Sequence, residues 1–451
     1  MKYRRATVDQ MPWCEYLLND NPNAACSMST NELSELIACS FIESAEHDDF
    51  NGMAASSLLR FTKGAEHLKS AVSELIKADR ITAVFSRTSV NMHIKRFPDL
   101  PKSMQLELLG TETLDTVCLY PSSSEVEKHV NLNEWHDRPF SRSLLLAEPQ
   151  LNYRAFDMGA LERYVADPRY VFEFNDYMGW MSVDNAYFRD DEHPERDKIS
   201  LQTFGLGFDA QRTPYIIVFL RYLAGLSPEH QQYWQSYLVS GDVRMCKPYF
   251  QSSIEGEWWE NRSIRYAIAE EMRLIGALSE AIWGQSLFRD SSGGGIPIGL
   301  NSFLRPTAEN FHRLVMALDK LLSENIDSSF FKGKCAIETE QARPDGKIIV
   351  TRKGTLTLLQ DWLLQEVHWN DPKAFVEVVI KPLRRIRKLR QAPAHSFTTD
   401  DFSTEYYEKR KQLLGDVLNS LSNIRSTFSR HPRSKDIEIP DWLDTGKIDV
   451  F

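Results

Sequence analysis

The chain has 451 residues, 42% of them hydrophobic and 26% charged, with a formal net charge of −10. That length accommodates two or three domains with separate cores, in the composition of a globular protein rather than a disordered or fibrous one. No apolar run approaches the roughly 18–20 residues of a membrane helix, and the acidic balance argues against a protein that coats nucleic acid non-specifically.

Lys2, Arg4 and Arg5 have no apolar stretch behind them, so no secretory signal is expected and the protein is read as cytoplasmic, with no membrane partner. Cys14, Cys26, Cys39, Cys118, Cys246 and Cys335 are scattered, without a C-x-x-C pair or histidines at zinc-ligand spacing. Free thiols are the expectation, with no metal and no cofactor.

Residues 1–145 read as a mixed α/β region of unknown role. A polar helical stretch around 56–79 leads into a strand over 81–85, and 114–120 is a second strand closed by Pro121. Residues 146–300 read as a second α/β region with a sensing or regulatory role. Strands are expected at 170–174 and 199–204, the latter followed by a Gly205-Leu-Gly207 turn, and helices at 214–226 and 228–238. Ser263 caps a longer helix whose Ile264, Ala267, Ile268, Met272, Ile275 and Ile282 share one face. The glycines at 293–295 mark a joint and a domain boundary.

Residues 301–451 change to amphipathic helices. Phe311, Leu314, Val315, Leu318, Leu321 and Leu322 define one that begins near Thr307. A hairpin-like insertion near 331–353 follows, then helices over 355–368, over 373–391 with a kink at Pro382, and over 404–428. The fold class is therefore α+β, a mixed α/β N-terminal region followed by a helical bundle, with a surface-bound or mobile tail after Pro432.

Charge is uneven. Residues 381–435 hold 13 Lys and Arg against 5 Asp and Glu, a balance of +8 that leaves −18 on the remainder. On a helix, Leu383, Ile386 and Leu389 form an apolar arc and Arg390 falls inside it, while Arg384, Arg385, Arg387 and Lys388 project outside. A guanidinium on an apolar arc is costly unless something anionic meets it. Pro393 biases Ala392 away from helical angles, so the helix ends near Gln391 and His395 lies just beyond. An imidazole that titrates near neutrality moves protons, and a fixed guanidinium holds phosphate. Together they suit RNA cleavage by the ribose 2′-OH.

Arg390-Gln-Ala-Pro-Ala-His395 resembles the R-x(4–6)-H signature of the HEPN superfamily of toxin and anti-phage ribonucleases, and its place between two bundle helices is similar. The resemblance covers about residues 305–432. It implies a homodimer in which two Arg/His pairs meet in one cleft, Arg390 and His395 as catalytic residues, and a polar residue after the arginine, here Gln391. Phe397 stands where some toxins of this group have a modified tyrosine. The expected function is a metal-independent endoribonuclease acting on RNA such as tRNA, in defence or as a toxin, under an antitoxin or a phage-derived trigger. Arg384, Arg387 and Lys388 would add phosphate contacts, and Tyr406 would line the cleft. The alternatives are a catalytically silent HEPN dimerisation or binding module, and a ligand-gated protein whose function lies in the N-terminal region.

Other patterns favour structure over chemistry. The acidic loop at 190–197 lacks calcium-loop spacing. Gly205-Leu-Gly207 is too short for a dinucleotide fingerprint, the glycines at 293–295 lack a following Gly-Lys-Ser/Thr, and no G-x-S-x-G elbow occurs. Tyr233, Trp234, Tyr237, Trp258 and Trp259 could stack bases but suit a core better. His312 and His368 are expected as core or surface histidines, and Tyr407, like Tyr406, could line the cleft but suits packing.

Overall fold

The computed structural model describes residues 28–89, 91–95, 99–175, 177–257, 259–290, 300, 305–342, 348–369, 371–391 and 400–450. Two compact units result, residues 1–173 with 178–246, and residues 174–177 with 247–451. The class is α+β, as the alternation of elements suggested. Among the described residues no helix is long and apolar enough to cross a membrane. Cys39, Cys118, Cys246 and Cys335 form no disulfide.

The first unit holds two antiparallel sheets. Helix α1 (Thr30–Glu46) starts at a reciprocal cap, Ser29 taking the Glu32 amide while Glu32 takes that of Ser29. Strands β1 (Met53–Ala54), β2 (Ile81–Phe85) and β3 (Val117–Pro121) form a sheet in the order β1-β3-β2. Helix α2 (Ala65–Lys77) brings Leu68, Val72, Leu75 and Ile76 into the same core as Ile81, Ala83 and Phe85. The strand expected over 114–120 starts three residues later, after a 3-10 turn at Leu114–Thr116.

The second sheet runs β4-β8-β7-β6-β5, with β9 (Arg244–Met245) on β7. Its strands are β4 (Tyr153–Phe156), β5 (Tyr170–Asn175), β6 (Met178–Val183), β7 (Ser200–Phe208) and β8 (Pro214–Phe219). Two expectations are corrected here. Pro214–Phe219 is a strand, not the start of a helix, because its Tyr-Ile-Ile-Val-Phe run is aromatic and β-branched and Pro is tolerated at a strand's first position. The glycines at 205 and 207 lie inside β7 and make no turn, since β8 and β9 press on Gly207 from both sides. Helix α3 (Pro228–Ser236) is capped by Ser227 with Pro at its start.

The second unit is helical, and its limits differ from expectation. Helix α4 (Ile264–Trp283), with Ser263 accepting from the Tyr266 amide, belongs with the C-terminal helices rather than with a middle domain ending near 300. Its Ile264, Ile268, Met272, Ile275 and Ile282 share a core with Leu314, Trp362, Leu414 and Phe428. The bundle therefore has one more long member than the four expected. The glycines at 293–295, taken as the joint, lie outside the described residues.

Helix α5 (Ala308–Asp319) is capped by Thr307 and continues without a break into a π-helical turn, Lys320–Glu324. An exposed antiparallel hairpin follows, β10 (Glu338–Ala342) and β11 (Ile348–Arg352), where the insertion was expected. Helix α6 (Thr355–Glu366) precedes a second interrupted helix, Pro372–Phe375, a π turn at Val376–Ile380, then α7 (Lys381–Gln391). The irregularity expected at Pro382 thus takes the form of a widened turn just before it, which accommodates the ring against the preceding turn. Ser420, on helix α8 (Glu405–Phe428), is fully buried and donates to the Val379 carbonyl in that turn. The tail docks rather than floats, with Leu443 buried against Ala267 and Leu274, and Ile448–Asp449 paired to Arg262–Ser263.

Candidate functional site

Arg390 lies on the last turn of α7, next to the partly buried Leu389. Leu383 and Ile386 are buried, as the arc required. The anionic partner comes from within the chain: Arg390 Nη1 donates to Asp319 Oδ2 at 2.5 Å and to the Glu324 carboxylate. Asp319 is fully buried, Glu324 is 40% exposed and Arg390 32% exposed, so the pair of carboxylates spans from core to surface. These hydrogen bonds, that of Asp319 first, hold the Arg390 guanidinium above its ordinary value. Both carboxylates meet the same nitrogen, leaving Nε and Nη2 outside the contact.

The π turn explains how Asp319 and Glu324 reach one nitrogen. In an α-helix, residues five apart point to different faces, whereas the i→i+5 bonding of a π turn stacks them. Lys320–Glu324 is that turn. Ser323, also buried, donates to Asp319 Oδ1, and the Ser323 carbonyl accepts from Thr355 Oγ1 at 2.6 Å. The hydroxyl of the first α6 residue thereby satisfies a carbonyl that the widened turn presents.

Arg387, one turn before Arg390, faces the same cluster. Its Nη1 donates to Ser323 Oγ at 3.2 Å and lies 3.8 Å from Asp319 Oδ1, with the side chain 44% exposed. Arg387 is exposed, as helical spacing had put it, and also leans toward the cluster that holds Arg390. Residues three apart on a helix are neighbours, and a shared acidic partner draws both to one side. Arg385 pairs with Asp416 on α8 at 3.2 Å. Arg384, Lys388 and Gln391 are exposed.

Tyr406 is not part of this cluster. Its hydroxyl donates to Asp401 Oδ1 at 3.1 Å and its ring packs on Phe311 with centroids 5.5 Å apart. Phe311 precedes Asp319 by eight residues, about 12 Å along the helix. His395 and Phe397 lie outside the described residues, as do Trp258, Cys14 and Cys26.

Asp319, Ser323 and Glu324 escaped the sequence reading. The available signal was Asp319 itself, a carboxylate beside Leu318 on a stripe that runs through Leu314, Val315 and Leu322. A buried acid with no base one helical turn away implies a partner from a distant segment.

In the first unit, a second polar cluster is sealed. Tyr164 OH meets His230 Nδ1 at 2.7 Å and accepts from Trp234 Nε1 at 3.1 Å, while His230 Nε2 lies 3.5 Å from Asp197. Burial lowers the His230 pKa. Trp234 is thus a core residue with no free face, and Trp259 is part-buried, donates to Asp449 Oδ2 at 2.5 Å and has Lys247 Nζ 5.9 Å from its ring centroid. Among the described residues no group of His, Cys, Asp and Glu is arranged to hold a metal.

No protein-family model, no curated protein and no solved structure matches the chain, and the site is read on its own geometry.

Proposed function

We propose that the C-terminal unit is a HEPN-like, metal-independent endoribonuclease, with Arg390 gripping the scissile phosphate and His395 as acid and base. The observation that carries this reading is the pairing of Arg387 and Arg390 on one face of α7, with Arg390 part-exposed and five residues before His395 in sequence. Two adjacent guanidiniums suit a phosphodiester, since each can donate to its oxygens. The 2′-oxygen forms a bond to phosphorus as its proton passes to the imidazole, the bond from phosphorus to the 5′-oxygen breaks, and the departing 5′-oxygen takes up a proton from the imidazolium. The products are a 2′,3′-cyclic phosphate and a 5′-hydroxyl, and DNA, lacking the 2′-OH, is excluded. The buried Asp319 acts as the positioning residue that fixes Arg390 Nη1, with Nε and Nη2 as the donors for substrate.

Cleavage of structured RNA such as tRNA in bacterial defence or as a toxin, by a homodimer held silent by an antitoxin or set off by a phage-derived trigger, is the corresponding role. The test is cleavage of total cellular RNA by purified protein with end analysis. Wild type should leave cyclic-phosphate ends, and Arg390→Ala and His395→Ala should each lose about a hundredfold or more, the scale of removing one transition-state contact or proton carrier. Equal cleavage by all three would end the proposal.

A second reading rests on the same contact. Arg390 Nη1 is already matched by two carboxylates, as in a structural ion pair, which favours a catalytically silent dimerisation or binding module. In that case no RNA is cut, and Arg390→Ala lowers the melting temperature. A protein that cuts RNA only after nucleotide is added would instead point to gating by the N-terminal unit.

A further inference from the structure

The hairpin of β10 and β11 forms a two-stranded sheet of its own among the described residues. Its base is anchored: the Lys353 amide donates to the Ile337 carbonyl at 3.0 Å, Lys353 Nζ meets Asp361 at 2.7 Å, and Cys335 and Ile337 pack on the helical core. Beyond that base it is bare. Ile348 is 63% exposed, Ile349 38% and Val350 53%.

Three consecutive β-branched apolar residues place oily side chains on both faces of β11. An exposed edge strand that is apolar and uncharged over this stretch is a ready template for pairing with another chain. An isolated hairpin is at best marginally stable in water. The outer edge of β11 therefore has the composition of a strand with a neighbour, and the described chain supplies none.

We infer that β11 pairs antiparallel with β11 of a second copy of this chain, joining two hairpins into a four-stranded sheet with Ile349 at the two-fold axis. The charges select this occupant and this edge. With the axis at Ile349, Ile348 of each copy lies opposite Val350 of the other and no charge is opposed over 348–350. The outer edge of β10 carries Glu338 and Glu340, and an axis at Glu340 would set that carboxylate against itself. Like charges directly opposed across strands are unfavourable. Pairing of β11 with β10 of another copy would be head-to-tail and open-ended, whereas β11 on β11 closes at two. The inference does not rest on the ribonuclease reading, and the cleft of that reading closes a dimer together with this contact only where both share one two-fold axis.

Sedimentation equilibrium of the full chain tests it, with Ile349→Lys and Ile349→Glu as variants. Ile349 is outside the helical core, and unchanged thermal unfolding of each variant at low concentration checks that the unit stays folded. Wild type should dimerise reversibly. Each variant alone should dissociate with a Kd raised roughly tenfold or more, since it opposes like charges at the axis. An equimolar mixture should recover dimers, because lysine then faces glutamate, and no contact other than residue 349 meeting itself has that property. A monomeric wild type, variants that dimerise as wild type does, or a mixture that stays monomeric would each overturn the pairing.

Discussion

Arg425 on α8 donates from Nε to Oε2 of Glu271 on α4 at 2.7 Å, with the two side chains 2% and 1% exposed. Arg425 Nη2 also reaches Asp444 of the tail at 2.6 Å, where the acid is 60% exposed. The pair ties the two longest helices of the second unit to the C-terminal segment. Removing one partner strands a buried charge, which costs about 3–5 kcal/mol. Glu271→Ala should therefore lower the urea midpoint far more than Asp444→Ala. Replacing both partners, Glu271→Leu with Arg425→Met, should recover most of the loss, because the expense lies in the unpaired charge and not in the missing attraction.

Acid should loosen the first unit through Glu125. The Arg80 side chain, donating at 2.8 and 3.0 Å, is the main cause that holds the Glu125 carboxyl down at about 2 against 4.5 for the unperturbed group. A folded-state pKa below the unfolded value gives stability that is present above pH 4.5 and is lost as pH falls toward 2. The loss amounts to about 2–3 kcal/mol. Glu125→Gln should be less stable than wild type at pH 7, and the gap should close by pH 2 in denaturant titrations.

Gly207 should not tolerate a methyl group. A Cβ there would lie 2.7 Å from Ile217 Cδ1 and 2.9 Å from the Arg244 carbonyl oxygen. The carbonyl belongs to β9 and cannot rotate away. Gly207→Ala should cost about 1–3 kcal/mol by thermal unfolding, with no effect on nucleotide binding, since the glycine serves strand packing.

The Arg390 cluster makes a directional forecast for RNA. Glu324 is part-exposed and competes with phosphate for the guanidinium. At low salt, Glu324→Gln should tighten binding of a single-stranded RNA about two- to fivefold, the scale of one part-exposed ion pair. Weaker binding would mean that Arg390 needs Glu324 more than phosphate does. Arg384→Gln and Lys388→Gln should each flatten the log–log salt dependence by about 0.7, with little regard to sequence.

How much of this was legible depended on how local the cause was. The Ser263 and Thr307 caps could be read directly, because a hydroxyl and the amide three residues on settle a helix start between them. So could a hairpin near 331–353, where β10 and β11 pair. Residues 214–219 were misread because Pro at an early position suits a helix and a strand alike, and the decision lay with β4 and β7 on either side. The partners of Arg390 were out of reach for a different reason. They lie 71 and 66 residues away, and Glu324 faces Arg390 only because a turn is wound with i→i+5 bonds that helical periodicity does not anticipate. The domain limit failed similarly, since Ile264, Ile268 and Met272 reveal an apolar face but not whose core it fills.

The wide turn at Lys320–Glu324 also makes this part of the gene tolerant of one particular change in length. Loss of a single codon there would let the backbone relax into an ordinary α-helix, with its hydrogen-bond ladder complete. The downstream segment would keep its rotational phase, because the widened turn carries one residue more than an α turn. Asp319 and Glu324 would then stand four apart, still on one helix face. Natural variants one residue shorter in this stretch would thus keep both carboxylates toward Arg390.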